Sequence, residues 1–422
     1  MTMEAGIDYD RLVVDGSLSQ RLFTEPAILE QELDRIWYRG WLYVGHESEI
    51  PEPGDYVTRV LGMQPVVMSR DPERQIHVLL NRCPHRGNTV CQFDSGNSSA
   101  FRCAYHGWTF GSNGELIGAT YATAYGPDFD KADFGMARMP RVDSYRGFVF
   151  GSFSESGQSL SDHLGRAKDY IDRFSDLSPS GSIVVNAGVV KTRYDANWKL
   201  VLDNAVDGYH PLFLHRAVMK SLRAAGSDAA AAYADDGTVT MADLGSGHAI
   251  LDFRAQNRAG GLTDASKGAA LQAREEYIAA LTGRLGAEAA RELVLDGLSN
   301  VVIFPNLMFV YQDIRVVQPI SPTRSIVYNW PALLEGAPAA INLARLKQQN
   351  ASYGPAGMIT PDDMEIFERS QRAFATTKPE RLLLIRGAWR DARQPDGTLV
   401  GRATDETAHR GIWRHYREVM TS

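Results

Sequence analysis

The sequence predicts an α+β protein in which a small all-β unit is inserted into a larger unit of helices and antiparallel strands. Three observations predict it. Short β-rich runs broken by Gly, Pro, Asn and Asp fill residues 41–155. Helical periodicity returns after Ser156, yields to strand-like runs between Asn300 and Trp330, and then resumes. Two of the three cysteines stand in mixed Cys–His pairs inside the β-rich segment, Cys83-x-His85 and Cys103-x-x-His106. The expected division is 41–155 for the β unit, with 1–40 and 156–422 together forming the other.

Taken in order, residues 24–39 read as a helix. Thr24 is its expected cap, Pro26 lies in the first turn, Ile28, Leu29, Leu33, Ile36 and Trp37 share a face, and Gly40 stops it. Strands are expected at Tyr56 to Leu61, Pro65 to Ser69, Gln75 to Leu80, Ala100 to Cys103, Trp108 to Gly111 and Gly147 to Phe150. Ser161 to Asp176 reads as an amphipathic helix and Ile183 to Tyr194 as a strand. Residues 225–265 are rich in Ala, Gly and Asp and read as mobile loops, with strand-like runs at 238–241 and 249–253. Residues 267–297 read as helical. Strands are expected at Asn300 to Phe304, Leu307 to Val317 and Arg324 to Trp330, and helices at 340–353, 361–376 and about 404–420.

Composition narrows the function classes. At 422 residues, 44% hydrophobic and 23% charged, the chain has the make-up of a globular protein of two domains. A net charge of −7 argues against nucleic-acid binding, which needs basic patches. No apolar run reaches the roughly 18 residues of a membrane span. The N-terminal MTMEAGIDYD lacks a basic-then-apolar signal pattern. Three cysteines make no disulfide framework. Thiolate ligands need a reducing compartment, so the expected location is cytoplasmic.

The two Cys–His pairs are separated by seventeen residues. A thiolate and an imidazole at each end of one loop can hold two metal ions side by side. The chemistry they suit is a [2Fe–2S] cluster with two thiolates on one iron and two histidines on the other. Zinc is the competing reading, but its usual spacings pair Cys with Cys and His with His. A lone Cys-x-His is more often core packing. Cys91 has no His at ligand spacing and reads as structural.

A second ligand-rich stretch runs from Asn197 to His215. His210 and His215 would diverge by roughly 140° on an ideal helix, so a local break is needed to bring them to one ion. Asp207 lies one turn before His210, where its carboxylate can accept a hydrogen bond from a ring nitrogen not used for metal. Two histidines and a carboxylate form the facial triad of oxygen-activating Fe(II) sites. The carboxylate candidates are Asp363, Asp362 and Glu365 in GPAGMITPDDME. The bland reading is a helix start with Thr360 as N-cap and Pro361 at the first position, where acids are favoured anyway.

CPHRG, CAYHGW, NWKLVLDNAVDGYHPLFLH and GPAGMITPDD together resemble the α subunits of Rieske non-haem iron oxygenases, the aromatic-ring-hydroxylating enzymes of aromatic catabolism. The resemblance implies a [2Fe–2S] cluster on Cys83, His85, Cys103 and His106, and a mononuclear Fe(II) on His210, His215 and Asp363. It implies a helix-grip catalytic domain with an antiparallel sheet covered by helices. It implies that Asp207 bridges His210 to His106 of a neighbouring subunit, in a homotrimer or an α3β3 hexamer, because the two centres within one subunit of such enzymes are too far apart. Asn204 is a further catalytic candidate. The Asn204-to-Asp207 spacing is one residue shorter than in naphthalene-type members, which weakens transfer of their pocket residues.

No Gly-x-Gly-x-x-Gly follows a strand, so electrons from NAD(P)H are expected through a separate flavin-containing reductase, directly or by way of a ferredoxin. The expected reaction uses O2 to cis-dihydroxylate or monohydroxylate an aromatic ring. Length and the GPAG segment resemble members acting on aromatic carboxylates. Arg315 and Arg402 are candidate partners for such a carboxylate, against the bland reading of a sheet-surface or interface Arg. Val206, Phe213 and Ile359 are candidate pocket walls. Two other classes compete: a Rieske monooxygenase that demethylates or hydroxylates a non-aromatic substrate, and a plain electron carrier lacking the second metal.

Overall fold

The computed structural model describes residues 6–224, 226, 229–259 and 268–422, which fall into two units, 37–160 and 1–36 with 161–422. Part of the 225–265 loop expectation, the start of the 267–297 helix and the first five residues lie outside the described residues.

The 37–160 unit is built from three small antiparallel sheets. Ile76–Leu80, Gln64–Arg70, Asp55–Leu61 and Ser95–Asn97 form the first, in that order. Ala100–Arg102, Thr109–Gly111 and Leu116–Gly118 form the second, and Leu42–His46, Phe148–Ser152 and Arg141–Tyr145 the third. Four of these strands, Leu42–His46, Ser95–Asn97, Leu116–Gly118 and Arg141–Tyr145, go beyond the sequence expectation. Val67, Leu79, Phe101, Trp108 and Phe110 share one core with Cys83, Cys91 and Cys103. Cys91 is buried there, and burial pushes its thiol up to about 12.

The larger unit is organised on a nine-stranded antiparallel sheet. Its order is Val190–Tyr194, Arg324–Pro331, Asp313–Ser321, Leu307–Val310, Asn300–Ile303, His248–Asp252, Thr240–Gly245, Leu399–Arg402 and Ala392–Arg393. Trp198–Ala205 lies across the central strands and Thr407–Thr421 across Thr240–Gly245 and His248–Asp252. An antiparallel sheet with helices packed across it in this way is the helix-grip arrangement. A Cβ at Gly411 would sit 2.3 Å from the Asp243 side chain, so glycine there lets the last helix approach the sheet.

Several expected elements are shorter or divided. The first helix is Pro26–Glu32 followed by a π turn, Leu33–Trp37, and Glu25 rather than Thr24 holds the cap position. Ser161 to Asp176 divides into Leu160–Leu164 and Ala167–Asp176, because Gly165 takes a positive φ. Gly286 divides Leu271–Leu285 from Ala287–Asp296 in the same way, and Gly188 interrupts the 183–194 run. Leu307 to Val317 is a hairpin that turns at Tyr311, φ 52°. Ile359 occupies the cap position of Thr360–Ala373, so Thr360 does not cap it.

Beneath the sheet-crossing helix, the fully buried Glu32 carboxylate accepts hydrogen bonds from Lys199 Nζ (2.6 Å), Trp198 Nε1 (2.8 Å) and Tyr416 Oη (2.7 Å). Glu32→Leu would strand the Lys199 ammonium in the core. We expect it to destabilise the protein by about 3–5 kcal/mol, read as a lowered midpoint of urea unfolding, and a second change, Lys199→Met, to restore most of that. A single variant with the wild-type midpoint would contradict this assignment.

Candidate metal centres

The helix Trp198–Ala205 is the scaffold of the first centre. Asn197 caps its start by accepting the Lys199 N–H (3.1 Å). At its far end Asn300 donates to Ala205 O (3.1 Å) while accepting the Tyr311 N–H (3.1 Å), so the helix terminus is tied to the sheet. The chain leaves helical geometry at Val206. Asp207 then accepts the Tyr209 N–H at 2.6 Å. Gly208 packs so closely against the turn at Ala403 that a Cβ would lie 2.5 Å from that carbonyl oxygen.

His210 and His215 bracket a single helical turn, Pro211–Leu214. Breaks on both sides of that turn undo the divergence expected of a regular helix, and the rings come to 5.3 Å between centroids. Asp363, buried in the first turn of Thr360–Ala373, places Oδ1 3.3 Å from His215 Nε2 and 3.9 Å from His210 Nε2. One ligand atom from each of the three lies within 4.8 Å of the others.

Of the three acids in this segment, Asp363 faces the inner nitrogens. Asp362 lies 3.2 Å from the outer nitrogen of His215, Nδ1, and Glu365 pairs with Arg369 at the surface (2.6 Å). Asp207 lies 3.4 Å from His210 Nδ1. Each histidine thus turns one nitrogen inward and has a carboxylate beside the other, the bracing expected of a metal-bound imidazole. Asn204 Nδ2 stands between His210 Nε2 (3.2 Å) and Asp363 Oδ1 (3.3 Å).

Electrostatics agree with this geometry. Burial alone would lower His215, but the Asp363 and Asp362 carboxylates raise it. Burial would raise Asp207, yet His210, His409 and the Tyr209 N–H hold it at about 2, so it is anionic at neutral pH. Two imidazoles and one carboxylate converging on one point fit a divalent iron.

The three groups lie in the wall of a cavity of about 430 Å3, a usual size for a small-molecule site. Val218, Met219 and Leu222 of Arg216–Ala224 give it an apolar side. Arg315 and Ile359 line it. Val206, Phe213 and Arg402 do not. Val206 is buried behind the ligand loop, and Phe213 is 65% exposed and packs edge-on against Tyr209. Arg402 is held by Asp235 instead. Tyr233, Tyr311, Gln349 and Tyr353 also line the cavity, and no local pattern in the sequence marks them.

In the β unit the two Cys–His loops share one backbone design. Cys83 N–H donates to Asn88 O and Cys103 N–H to Trp108 O, both at 2.8 Å. Gly87 N–H returns to Cys83 O (2.9 Å) and Gly107 N–H to Cys103 O (3.0 Å). Both glycines have φ near +75°, which closes each turn. The His85 and His106 rings are 4.7 Å apart, and His85 stacks flat on Trp108. His85 Nδ1 is buried without a hydrogen-bond partner, as a nitrogen reserved for a metal would be. Two buried thiols and two converging imidazoles therefore fit a two-iron cluster.

Comparison with known proteins agrees with both centres. Residues 40–135 match the Rieske [2Fe-2S] domain and residues 166–422 the ring hydroxylating alpha subunit, catalytic domain. The chain is 32% identical to the anthranilate 1,2-dioxygenase large subunit of Acinetobacter baylyi, over 85% of this chain and 77% of that one. It is 29% identical to the N,N-dimethyl phenylurea N-demethylase subunit alpha of a Sphingobium strain, over 100% and 94%. A solved structure of naphthalene 1,2-dioxygenase with indole bound in the active site superposes with a TM-score of 0.84 at 27% identity, covering 99% of this chain and 95% of that one. The catalytic-domain match over more than half its length, joined to the Rieske match and the anthranilate dioxygenase relative, places this chain in the family of aromatic-ring-hydroxylating dioxygenase α subunits, oxidoreductases that incorporate oxygen with a Rieske [2Fe–2S] cluster and a mononuclear iron.

Proposed function

We propose that this chain is the terminal oxygenase of a multicomponent system that hydroxylates the ring of an aromatic carboxylate. The observation that carries the reading is the convergence of His210, His215 and Asp363 on one cavity that also contains Arg315. His210, His215 and Asp363 hold the iron, and Cys83, His85, Cys103 and His106 hold the cluster. When bound, the two centres supply stored electrons and a site for dioxygen. Asp207 and Asp362 fix the orientation of the ligand rings, and Asn204 presents its amide beside them. The apolar side of the cavity receives the ring and excludes water.

Asp207 links His210 to His106 of the partner subunit, so the working enzyme is a ring of copies, a homotrimer or an α3β3 hexamer. His106 is exposed and Tyr105 stacks on it, which leaves this ligand free to meet another chain. Electrons arrive from a flavin-containing reductase, directly or through a ferredoxin. Thiolate ligation of the cluster needs a reducing compartment, which supports a cytoplasmic location; no disulfide joins the three cysteines, and no helix among the described residues is long and apolar enough to cross a membrane.

An N-demethylating oxygenase is the second reading, favoured by the phenylurea demethylase relative. A neutral urea would leave the Arg315 charge in the cavity without a partner, which weighs against it. Purified protein, a generic reductase and labelled dioxygen decide between them. Incubation with aromatic acids is expected to give a labelled cis-dihydrodiol or phenol. Formaldehyde from N-methyl substrates, with no ring product from any acid, would establish the second reading instead.

A further inference from the structure

The polar end of the cavity is built by two elements. Arg315 comes from the strand Asp313–Ser321. Gln349 and Tyr353 come from the buried face of Ala339–Tyr353, one turn apart. The Arg315 guanidinium lies 4.0 Å from the centre of the Tyr353 ring, which fixes its plane. All three residues line the cavity, and both Arg315 and Gln349 are more than nine-tenths buried.

Their hydrogen bonding is incomplete in a particular way. Arg315 Nε and Nη2 are buried and have no partner, and neither does Gln349 Nε2. Nε and Nη2 are the two nitrogens whose N–H bonds run parallel along one side of a guanidinium, the side that grips a carboxylate with two bonds. Among the described residues no carboxylate pairs with Arg315. Asp313, two positions away on the same strand, is bonded by Asn329 Nδ2 instead (3.3 Å). Other polar groups nearby already have partners: Asn300 is bonded at both ends, Gln312 Nε2 donates to Arg345 O, and Tyr233 and Tyr311 share a bond of 3.0 Å.

Orphan atoms also occur on Asp313, Asn329 and Arg345, which are not in the cavity wall. Those three include both donors and acceptors. Apart from His210 Nδ1, which faces Asp207, the orphans in the wall are all donors. A group that satisfies several donors and brings none of its own is an anion with at least two acceptor oxygens. Buried unsatisfied donors are costly, which makes a ligand that completes them strongly preferred over one that cannot.

We propose that the side-on fork of Arg315, with the Gln349 amide beside it, receives the substrate's carboxylate, and that Gln349 is a specificity-determining residue of this enzyme. The proposal rests on the aromatic-acid reading above and deepens it. It assigns a role to a residue that carries no charge and stands outside every metal-binding segment. An amide in place of the carboxylate would bring N–H groups against N–H groups and be rejected.

The test is anaerobic titration calorimetry of the iron-loaded enzyme with benzoate and with benzamide, its neutral isostere. Wild type is expected to bind benzoate at least about 30-fold more tightly. Gln349→Leu should weaken benzoate about tenfold and leave benzamide unchanged. Arg315→Met should abolish the preference, and Arg315→Lys, which keeps the charge without the fork, should restore only part of it. An unchanged cluster absorption spectrum and unfolding temperature establish that each variant is folded. Equal affinities for the two probes in wild type, including no binding of either, would overturn the proposal, as would a preference that survives both Arg315→Met and Gln349→Leu. Product analysis of the same incubations separates the two layers. An acid that binds with this pattern but is never hydroxylated leaves the clamp standing and removes the ring-hydroxylase reading. Hydrocarbons hydroxylated without any acid preference do the reverse.

Discussion

Asp207→Asn is expected to leave both metal centres loaded and to lower reductase-driven turnover by about 100-fold. The substitution keeps the shape of the side chain, and its remaining oxygen can still accept the Tyr209 N–H that now bonds Asp207 at 2.6 Å. What it removes is the negative charge beside His210 Nδ1. The neighbouring groups hold that charge in place, since they keep Asp207 at about 2 despite burial. A carboxylate so placed orients the imidazole and can join it to a second imidazole from outside the chain. The measurement is iron content together with stopped-flow reoxidation of the reduced cluster in the presence of substrate and oxygen. Reoxidation at the wild-type rate would remove Asp207 from the electron route.

Asp363→Ala should have an equally large effect through a different loss. Iron should fall from about three to about two per chain, with the visible spectrum of the cluster retained and product formation gone. Asp362→Asn should be milder, a loss of about 10- to 100-fold in iron affinity, because Asp362 touches only the outer nitrogen of His215. The two neighbouring acids thus give different results on one assay. Full iron retention in Asp363→Ala would exclude that carboxylate as a ligand, and the same assay distinguishes an oxygenase from a plain electron carrier.

The sequence shows the two centres unequally, for a physical reason. The Cys–His pairs are compact because one tight turn supplies both ligands, so the whole device is local and visible as a string. Half of the second centre is equally local, His210 and His215 around a single turn. Its carboxylate lies on a distant helix, and spacing alone could not separate Asp363 from Asp362 and Glu365. The family resemblance points to Asp363, and the packing of Thr360–Ala373 against the ligand loop shows why: Asp363 alone turns toward the inner nitrogens. The two arginines illustrate the same limit. Both sit in strands, and the pairing of strands decides which faces the cavity. Arg315 pairs with Met308 and Asn329 in the middle of the sheet, whereas Arg402 pairs with Thr240 toward its edge. The helical tracts were legible, but their interruptions depend on glycines at positive φ, such as Gly165 and Gly286, which a helical pattern tolerates on paper. Gln349 has no signature at all. Its role comes from three donors left unmet around one empty volume.

The close approach of Gly208 to the Ala403 carbonyl has a consequence for anyone reshaping this catalyst by randomised libraries. Screening each position from 206 to 215 for retained colour and iron should return glycine alone at 208, with even alanine lost, because the obstacle is a main-chain atom that cannot swing aside. Five codons later, at the outward-facing Phe213, nearly every amino acid should survive. Diversity is therefore better invested in Val218, Met219 and Leu222, where the cavity can change its contour while the residues that grip iron stay as they are.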